Sequence, residues 1–201
     1  MIASLVSVGL LLAPTTNAAE EWENPEYNLN LTDGNQYLQL RPGGWGESDT
    51  DWHIEYYNKF NKNPNWQYGL IYQKRGDGTL RWNQFIYSSP KIGSVWQWWV
   101  QPKITFIDAG SAGPMPGSFG MHLRLANKLT IWEDRLYLSS FYEPRWQYKG
   151  GEDVYIGHKS RMTFDIPVGN KSTLHVGALA YGAKGDFDKV VEYTVMWTVK
   201  F

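Results

Sequence analysis

The sequence predicts an all-β fold, specifically a transmembrane antiparallel up-and-down β-barrel of about ten strands, with twelve possible. Three observations carry this prediction. Apolar residues alternate with polar ones at a period of two along most of the chain. Several alternating runs extend over 12 to 15 residues, longer than the strands of most soluble proteins and long enough to cross a bilayer. The apolar faces of the clearest runs contain no Asp, Glu, Lys or Arg, as expected of a surface that contacts lipid.

The chain divides into three segments. A short apolar run at Leu5–Ala13, followed by small residues, resembles a secretory signal, and we expect residues 1–18 to be removed by cleavage after Ala18. A membrane anchor is the alternative, but the run is too short to span a bilayer. Residues 19–34 are polar and predict a loose N-terminal segment, and residues 35–201 predict the barrel.

Ten alternating segments predict the strands in chain order. Gly, Pro, Asn and Asp clusters separate them, with short connections alternating with connections that include two longer loops. With an even strand count, both chain ends lie on the same side of the membrane. The predicted strands are Tyr37–Arg41, Trp52–Phe60, Trp66–Arg75, Leu80–Ser88, Val95–Ile107, Phe119–Ile131, Leu136–Tyr148, Val154–Ile166, Thr173–Tyr181 and Val191–Phe201.

Alternation alone does not distinguish a membrane barrel from a soluble sandwich or a lipocalin-like barrel, since each has one apolar face. The apolar faces often end in Trp or Tyr, which favour headgroup depth. The last strand ends in Phe201 with apolar residues at every second position. This ending resembles the signal that the bacterial barrel-assembly machinery recognises, and it predicts a Gram-negative outer-membrane location with membrane lipid as a partner.

If the apolar residues face lipid, the polar residues face the lumen. The acids on that face are Glu55, Glu143, Asp165 and Glu192, whereas basic residues are far more numerous. A basic lining favours anionic solutes, and arginine can bind a carboxylate with two hydrogen bonds. Interleaved aromatic rings would suit the C–H faces of sugars. The candidate solute-binding residues are Arg41, Arg75, Arg81, Lys103, Arg124, Arg135, Arg145, Lys159, Arg161, Tyr137 and Trp99.

A second interpretation is that the interior of so narrow a barrel is filled by side chains that brace one another. Glu143 and Asp165 would then neutralise Arg145 and Arg161, which lie close to them on the same face. The barrel would not conduct, and its role would be structural or adhesive.

The stretch from Val95 to Tyr148 resembles the oligogalacturonate-specific porins, a family of small monomeric outer-membrane channels for acidic oligosaccharides. Trp98 to Pro102, Leu123 to Asn127 and Phe141 to Trp146 carry the resemblance, together with the closing residues Tyr193 to Phe201. The resemblance implies arginine tracks in the lumen at Arg124, Arg135 and Arg145, and a monomer. It also implies twelve strands, two more than the segments counted above.

Other function classes find little support. The chain contains no cysteine, which excludes disulfides and thiolate metal sites, and its net charge of −1 gives no overall field for nucleic acid. The four histidines are dispersed and no hydrolase or phosphate-binding motif occurs. We therefore expect no catalytic site, metal or cofactor. The sequence predicts an outer-membrane channel for acidic oligosaccharides, with a non-conducting barrel as the alternative and an enzyme third.

Overall fold

A computed structural model describes the backbone of residues 22–41, 52–75, 78–107, 119–149, 152–183 and 186–201. Side chains are described for most of these positions, but not at several strand ends. The predicted signal at residues 1–18 and the two predicted long loops lie outside the described residues. The described part of the chain contains no helix long and apolar enough to span a membrane.

The described residues form a closed barrel of eleven strands in which sequence neighbours pair antiparallel. The first and last strands close the barrel as a parallel pair, so the sheet is mixed. The strands are β1 (Trp22–Thr32), β2 (Gln36–Arg41), β3 (Trp52–Phe60), β4 (Asn63–Arg75), β5 (Gly78–Tyr87), β6 (Trp96–Ile107), β7 (Phe119–Trp132), β8 (Leu136–Lys149), β9 (Glu152–Val168), β10 (Ser172–Ala183) and β11 (Asp186–Lys200).

The all-β barrel prediction is confirmed, with one strand more than the ten counted from the sequence. The additional strand is β1, which lies within the 19–34 segment that was expected to be loose. Its second half alternates after all, since Tyr27 and Leu29 are exposed while Asn28 and Asn30 are buried. An odd count requires one parallel pair. The start of β1 and the end of β11 therefore lie at opposite ends of the barrel, contrary to the even-count expectation.

The two faces of the barrel differ sharply in chemistry. On the outer face, defined as the side chains that point away from the barrel axis, large apolar residues such as Leu70, Met121, Leu125 and Met162 are exposed. Polar residues such as Thr163 and Thr194 point inward and are buried. Pairs of aromatic residues, including Trp66 with Tyr87 and Trp96 with Trp98, lie toward the end of the short turns. This arrangement is the inverse of a soluble protein and is typical of outer-membrane barrels.

The barrel has irregular sites where the sequence requires them. Pairing between β5 and β6 ends at Lys103, and Pro102 is the next residue outside this ladder. A proline inside the ladder would weaken it because proline has no N–H to donate. Pro144 is followed at once by a register shift between Arg145 and Trp146. At Gly177 an added Cβ would lie 1.9 Å from the carbonyl oxygen of Met162, which leaves room only for glycine.

Candidate functional site

The lumen, meaning the space enclosed by the inward-facing side chains, contains more bases than acids among the described residues. Alternation, register and burial place these side chains inside. The inward bases are Arg41, Lys59, Lys103, Arg124, Lys128, Arg145, Lys159, Arg161 and Lys200, and the inward acids are Glu55, Glu143 and Asp165.

Glu143 is the centre of the strongest charge cluster, which we call the Glu143 cluster. Its carboxylate lies 2.6 Å from Lys103 Nζ, 2.6 Å from Arg124 Nε and 3.0 Å from an outer nitrogen of Arg145. Strands β6, β7 and β8 supply these residues, so the cluster lies on one wall of the barrel. Only 1% of the Glu143 side chain is exposed. Three positive charges around one negative charge leave this wall positive.

The positive wall continues onto β9. Lys159 is the register neighbour of Glu143, and Arg161 is the register neighbour of Phe141. The guanidinium carbon of Arg124 lies 4.0 Å from the centre of the Phe141 ring, and that of Arg161 lies 5.0 Å from it. Both arginines are therefore held against an aromatic face, which stabilises a cation and fixes its orientation.

Phe141 also belongs to an apolar cluster inside the lumen, formed with Ala126 and Leu179. Trp99 packs against this cluster, and Lys91 Nζ lies 5.1 Å from its ring centre. Tyr137 points inward toward the short-turn end, with Lys128 Nζ 3.7 Å from its ring centre. The two predicted aromatic site residues thus each lie beside a lysine.

Two further predicted site residues, Arg41 and Arg75, lie at the ends of strands. Arg41 ends β2, where it pairs with His53, whose ring lies edge-on to Trp82. Arg75 ends β4, and its side chain lies outside the described residues.

The placement of Arg81 in the lumen was wrong. Arg81 pairs with the exposed Tyr72, and its guanidinium lies 6.0 Å from the centre of that ring, on the outer face. The same inversion exposes Phe85, whereas Gln84 and Ile86 are buried. Both faces of β5 mix polar and apolar residues, so the pattern does not identify the apolar side.

The placement of Arg135 in the lumen was also wrong. Arg135 lies in the exposed turn between β7 and β8, where its N–H donates to the carbonyl of Trp132 and its guanidinium lies 5.0 Å from the Trp132 ring centre. The turn comprises Glu133, Asp134 and Arg135, with Asp134 at a positive φ of 56°, so Arg135 precedes the first residue of β8. The arginine track implied by the family resemblance therefore retains Arg124 and Arg145 without Arg135.

A second polar cluster, which the sequence analysis missed, centres on His175. Its Nδ1 lies 2.7 Å from Asp165 Oδ1 and its Nε2 lies 3.0 Å from Thr198 Oγ1. Asn30 Nδ2 donates to the same threonine oxygen at 3.2 Å, and Gln39 donates to Asn30. These contacts cross the parallel seam between β1 and β11 and join five neighbouring strands.

The Thr198 hydroxyl, the His175 imidazole and the Asp165 carboxylate follow one another in the order found in nucleophilic hydrolases. The surroundings favour a structural role for this cluster. Asp165 also accepts hydrogen bonds from Ser139 and Thr163, and the Thr198 hydroxyl accepts a hydrogen bond from Asn30. Register places His175 opposite Asp165, a relationship that strand pairing creates and that spacing along the chain does not show. Among the described residues, no three His, Asp or Glu side chains are arranged to hold a metal ion.

The fold is that of a closed barrel with an apolar exterior and a positively charged polar interior, which fits a channel-like outer-membrane protein. Comparison with known protein families, characterised proteins and solved structures finds no match to this chain.

Proposed function

We propose that this chain is a bacterial outer-membrane channel through which anionic oligosaccharides diffuse. The observation that carries the proposal is the Glu143 cluster, in which Lys103, Arg124 and Arg145 surround a single buried carboxylate. The excess positive charge lies inside a closed barrel, where low-dielectric walls strengthen its effect on passing ions. An anion entering this lumen would meet an attractive potential, and a cation would be repelled.

Acidic oligosaccharides are the solute class that best fits this wall. Arg124, Arg145 and Arg161 supply planar groups that match carboxylates. Trp99 and Tyr137 supply rings for the C–H faces of sugars, each with a lysine close by. The resemblance of Val95 to Tyr148 to the oligogalacturonate-specific porins supports the same solute class. Lys103, Lys159 and Arg41 complete the proposed path, and the channel needs no cofactor.

The proposed location follows from the exterior of the barrel. Tyr193 and Trp197 are exposed on the outer face of the last strand, and Phe201, which directly follows this strand, is exposed as well, so membrane lipid would contact all three. The same alternation ending in Phe201 would serve as the recognition signal for the barrel-assembly machinery. We propose a monomer, since one chain closes the barrel by itself.

A non-conducting barrel is the second candidate, and one observation favours it. The apolar cluster of Ala126, Phe141 and Leu179 lies inside the lumen, and only 1% of Leu179 is exposed. Side chains therefore fill part of the interior, as expected of a narrow barrel braced from within. Such a protein would act through its loops or as a structural element of the membrane.

Reconstitution of the purified chain separates the two candidates. In planar bilayers the channel predicts discrete current steps, and liposomes containing it should swell faster in trigalacturonate than in an uncharged trisaccharide of similar size. A folded protein that gives neither current nor swelling would overturn the channel and support the braced barrel. Equal swelling in both sugars would overturn selectivity for acidic solutes.

A further inference from the structure

The side chain of Tyr57 on β3 lies along the inner wall of the barrel instead of pointing across the lumen. Register places Tyr57 opposite Gly69 on β4 and Gly69 opposite Gln84 on β5, so the three residues form one row. The Tyr57 hydroxyl oxygen lies 3.2 Å from Gln84 Oε1. Neighbouring strands are about 5 Å apart, so the tyrosine reaches across β4 to make this contact.

Gly69 provides the space that this orientation of Tyr57 needs. The glycine is buried, and an added Cβ would lie 2.3 Å from Tyr57 Cε1 and 2.4 Å from Tyr57 Cδ1. A larger residue would therefore push the ring off the wall and into the lumen. The far end of the ring is fixed as well, because the Tyr57 hydroxyl donates to Glu55 Oε2 at 2.8 Å. Packing on Gly69 and this hydrogen bond together hold the ring in place.

The wall that carries Tyr57 faces the positive wall of the lumen. In the closed barrel of eleven strands, β3 lies five strands from β8 in one direction and five strands from β9 in the other. Strands β8 and β9 are therefore opposite β3, and they supply Arg145, Lys159 and Arg161. Lys159 also interacts electrostatically with Glu55, the carboxylate that holds Tyr57. The two walls are thus close enough for one solute to contact both.

The Tyr57 ring differs from other aromatic surfaces of the lumen. Cations lie against the rings of Phe141, Trp99 and Tyr137. Among the side chains that the structure describes, none places a cation against the Tyr57 ring. One face of this ring is covered by Gly69, and the other is directed toward the lumen. An uncovered aromatic face is the surface that the C–H face of a sugar can contact.

We propose that Tyr57, packed on Gly69, is a platform for the C–H face of an acidic sugar whose carboxylate points toward the positive wall. The inference rests on the proposed channel function and deepens it, because it assigns the sugar ring to one wall and its charge to the other. Arg145 and Arg161 can bind the carboxylate with paired hydrogen bonds. A neutral sugar lacks the second contact and a simple anion lacks the first, so the platform favours acidic sugars over both.

Isothermal titration calorimetry of the full chain in detergent, with trigalacturonate as the ligand, tests the platform without requiring conduction. The wild-type protein should bind the trisaccharide. Tyr57→Ala should weaken binding about fivefold, the effect expected from loss of one ring contact. Tyr57→Phe keeps the ring and should retain most of the affinity. Tyr68→Ala is the matched control, since Tyr68 lies on the neighbouring strand and donates to Asn83 on the outer face.

Gly69→Ala tests the packing beneath the ring. It should weaken binding about as much as Tyr57→Ala, because the displaced ring no longer lies on the wall. In the Tyr57→Ala background it should have no further effect, since both changes remove the same contact. Additive losses would overturn the role of Gly69. Equal binding by Tyr57→Ala and wild type, or no binding by folded wild type, would overturn the platform.

Heat-dependent migration in SDS gels confirms that each variant is folded, and conductance is measured separately in planar bilayers. If Gly69→Ala does not fold, the Tyr57 variants decide the outcome. A silent protein whose trigalacturonate binding depends on Tyr57 would refute the channel alone. A conducting protein whose binding does not depend on Tyr57 would refute the platform alone.

Discussion

Arg124 contacts both the carboxylate of Glu143 and the ring of Phe141. Its Nε donates to Glu143 Oε2 at 2.6 Å, while its guanidinium carbon lies 4.0 Å from the ring centre. The arginine is thereby held in place by an ion pair and a cation–π contact together. A cation that is fixed in this way can attract solutes without collapsing across the channel.

Replacing Glu143 with glutamine should destabilise the barrel by about 3 kcal/mol, because Lys103, Arg124 and Arg145 lose their shared counter-charge. The free energy of unfolding in urea, followed by tryptophan fluorescence, measures this loss. Glu133→Gln, in the exposed turn between β7 and β8, is the control and should leave the free energy unchanged. Equal stability of the two variants would show that the Glu143 cluster does not hold the wall together.

Alanine at Gly177 should prevent folding, because the new Cβ would lie 1.9 Å from the Met162 carbonyl oxygen and 2.7 Å from the Thr163 Cα. Both atoms belong to the backbone of β9, so a side chain cannot move aside to relieve the clash. Gly120→Ala is the matched control, since its nearest neighbour would be 3.4 Å away. Recovery of folded protein, judged by migration of unheated samples, compares the two. Comparable yields would contradict the close approach of β9 and β10.

Replacing His175 with leucine should weaken the closing seam by about 1–3 kcal/mol, because Asp165 and Thr198 would each lose a partly buried hydrogen bond. Thermal unfolding measured by circular dichroism reports the change. Ser172→Ala, which removes one exposed hydrogen bond to Val168 in the same hairpin, should have little effect. A melting temperature unaffected by His175→Leu would rule out a bracing role for this residue.

The inverted orientation of β5 can be tested with spin labels, since the chain contains no cysteine that would compete for the label. A spin label attached to the Phe85→Cys variant should be relaxed mainly by oxygen, which concentrates in lipid. Gln97 pairs with Lys128 inside the lumen. A spin label attached to the Gln97→Cys variant should therefore be relaxed mainly by a water-soluble nickel complex. The reverse result at Phe85 would place that side chain in the lumen and restore the sequence-based orientation.

The sequence predicts those strands best in which one face is entirely apolar. On β7, Met121, Leu123 and Leu125 are exposed and His122 and Arg124 lie inside, as alternation indicates. On β5, Arg81 and Asn83 share a face with Phe85, while Gln84 shares the other face with Ile86. Neither face is uniformly apolar, so periodicity fixes the strand without fixing its orientation.

The contents of the site are predictable to a smaller degree than the fold. Basic residues facing inward follow from alternation, but their shared partner does not, because Lys103 and Glu143 are forty residues apart. β1 was missed because its alternation becomes regular only from Tyr27 onward. Arg135 was misplaced because the alternation was extended one residue beyond β8, into the turn that contains Asp134 with its positive φ. Each of these features depends on pairing or turn geometry rather than on composition.

The central claim is that the positive wall of the lumen selects anions, and the reversal potential in a potassium chloride gradient tests it most directly. Wild-type channels should give a reversal potential of the sign expected for an anion-selective channel. The double replacement Arg124→Gln with Arg145→Gln should move the potential toward zero, and Arg135→Gln should not move it. A cation-selective wild-type channel, or an equal shift from Arg135→Gln, would contradict the proposed role of the lumen wall.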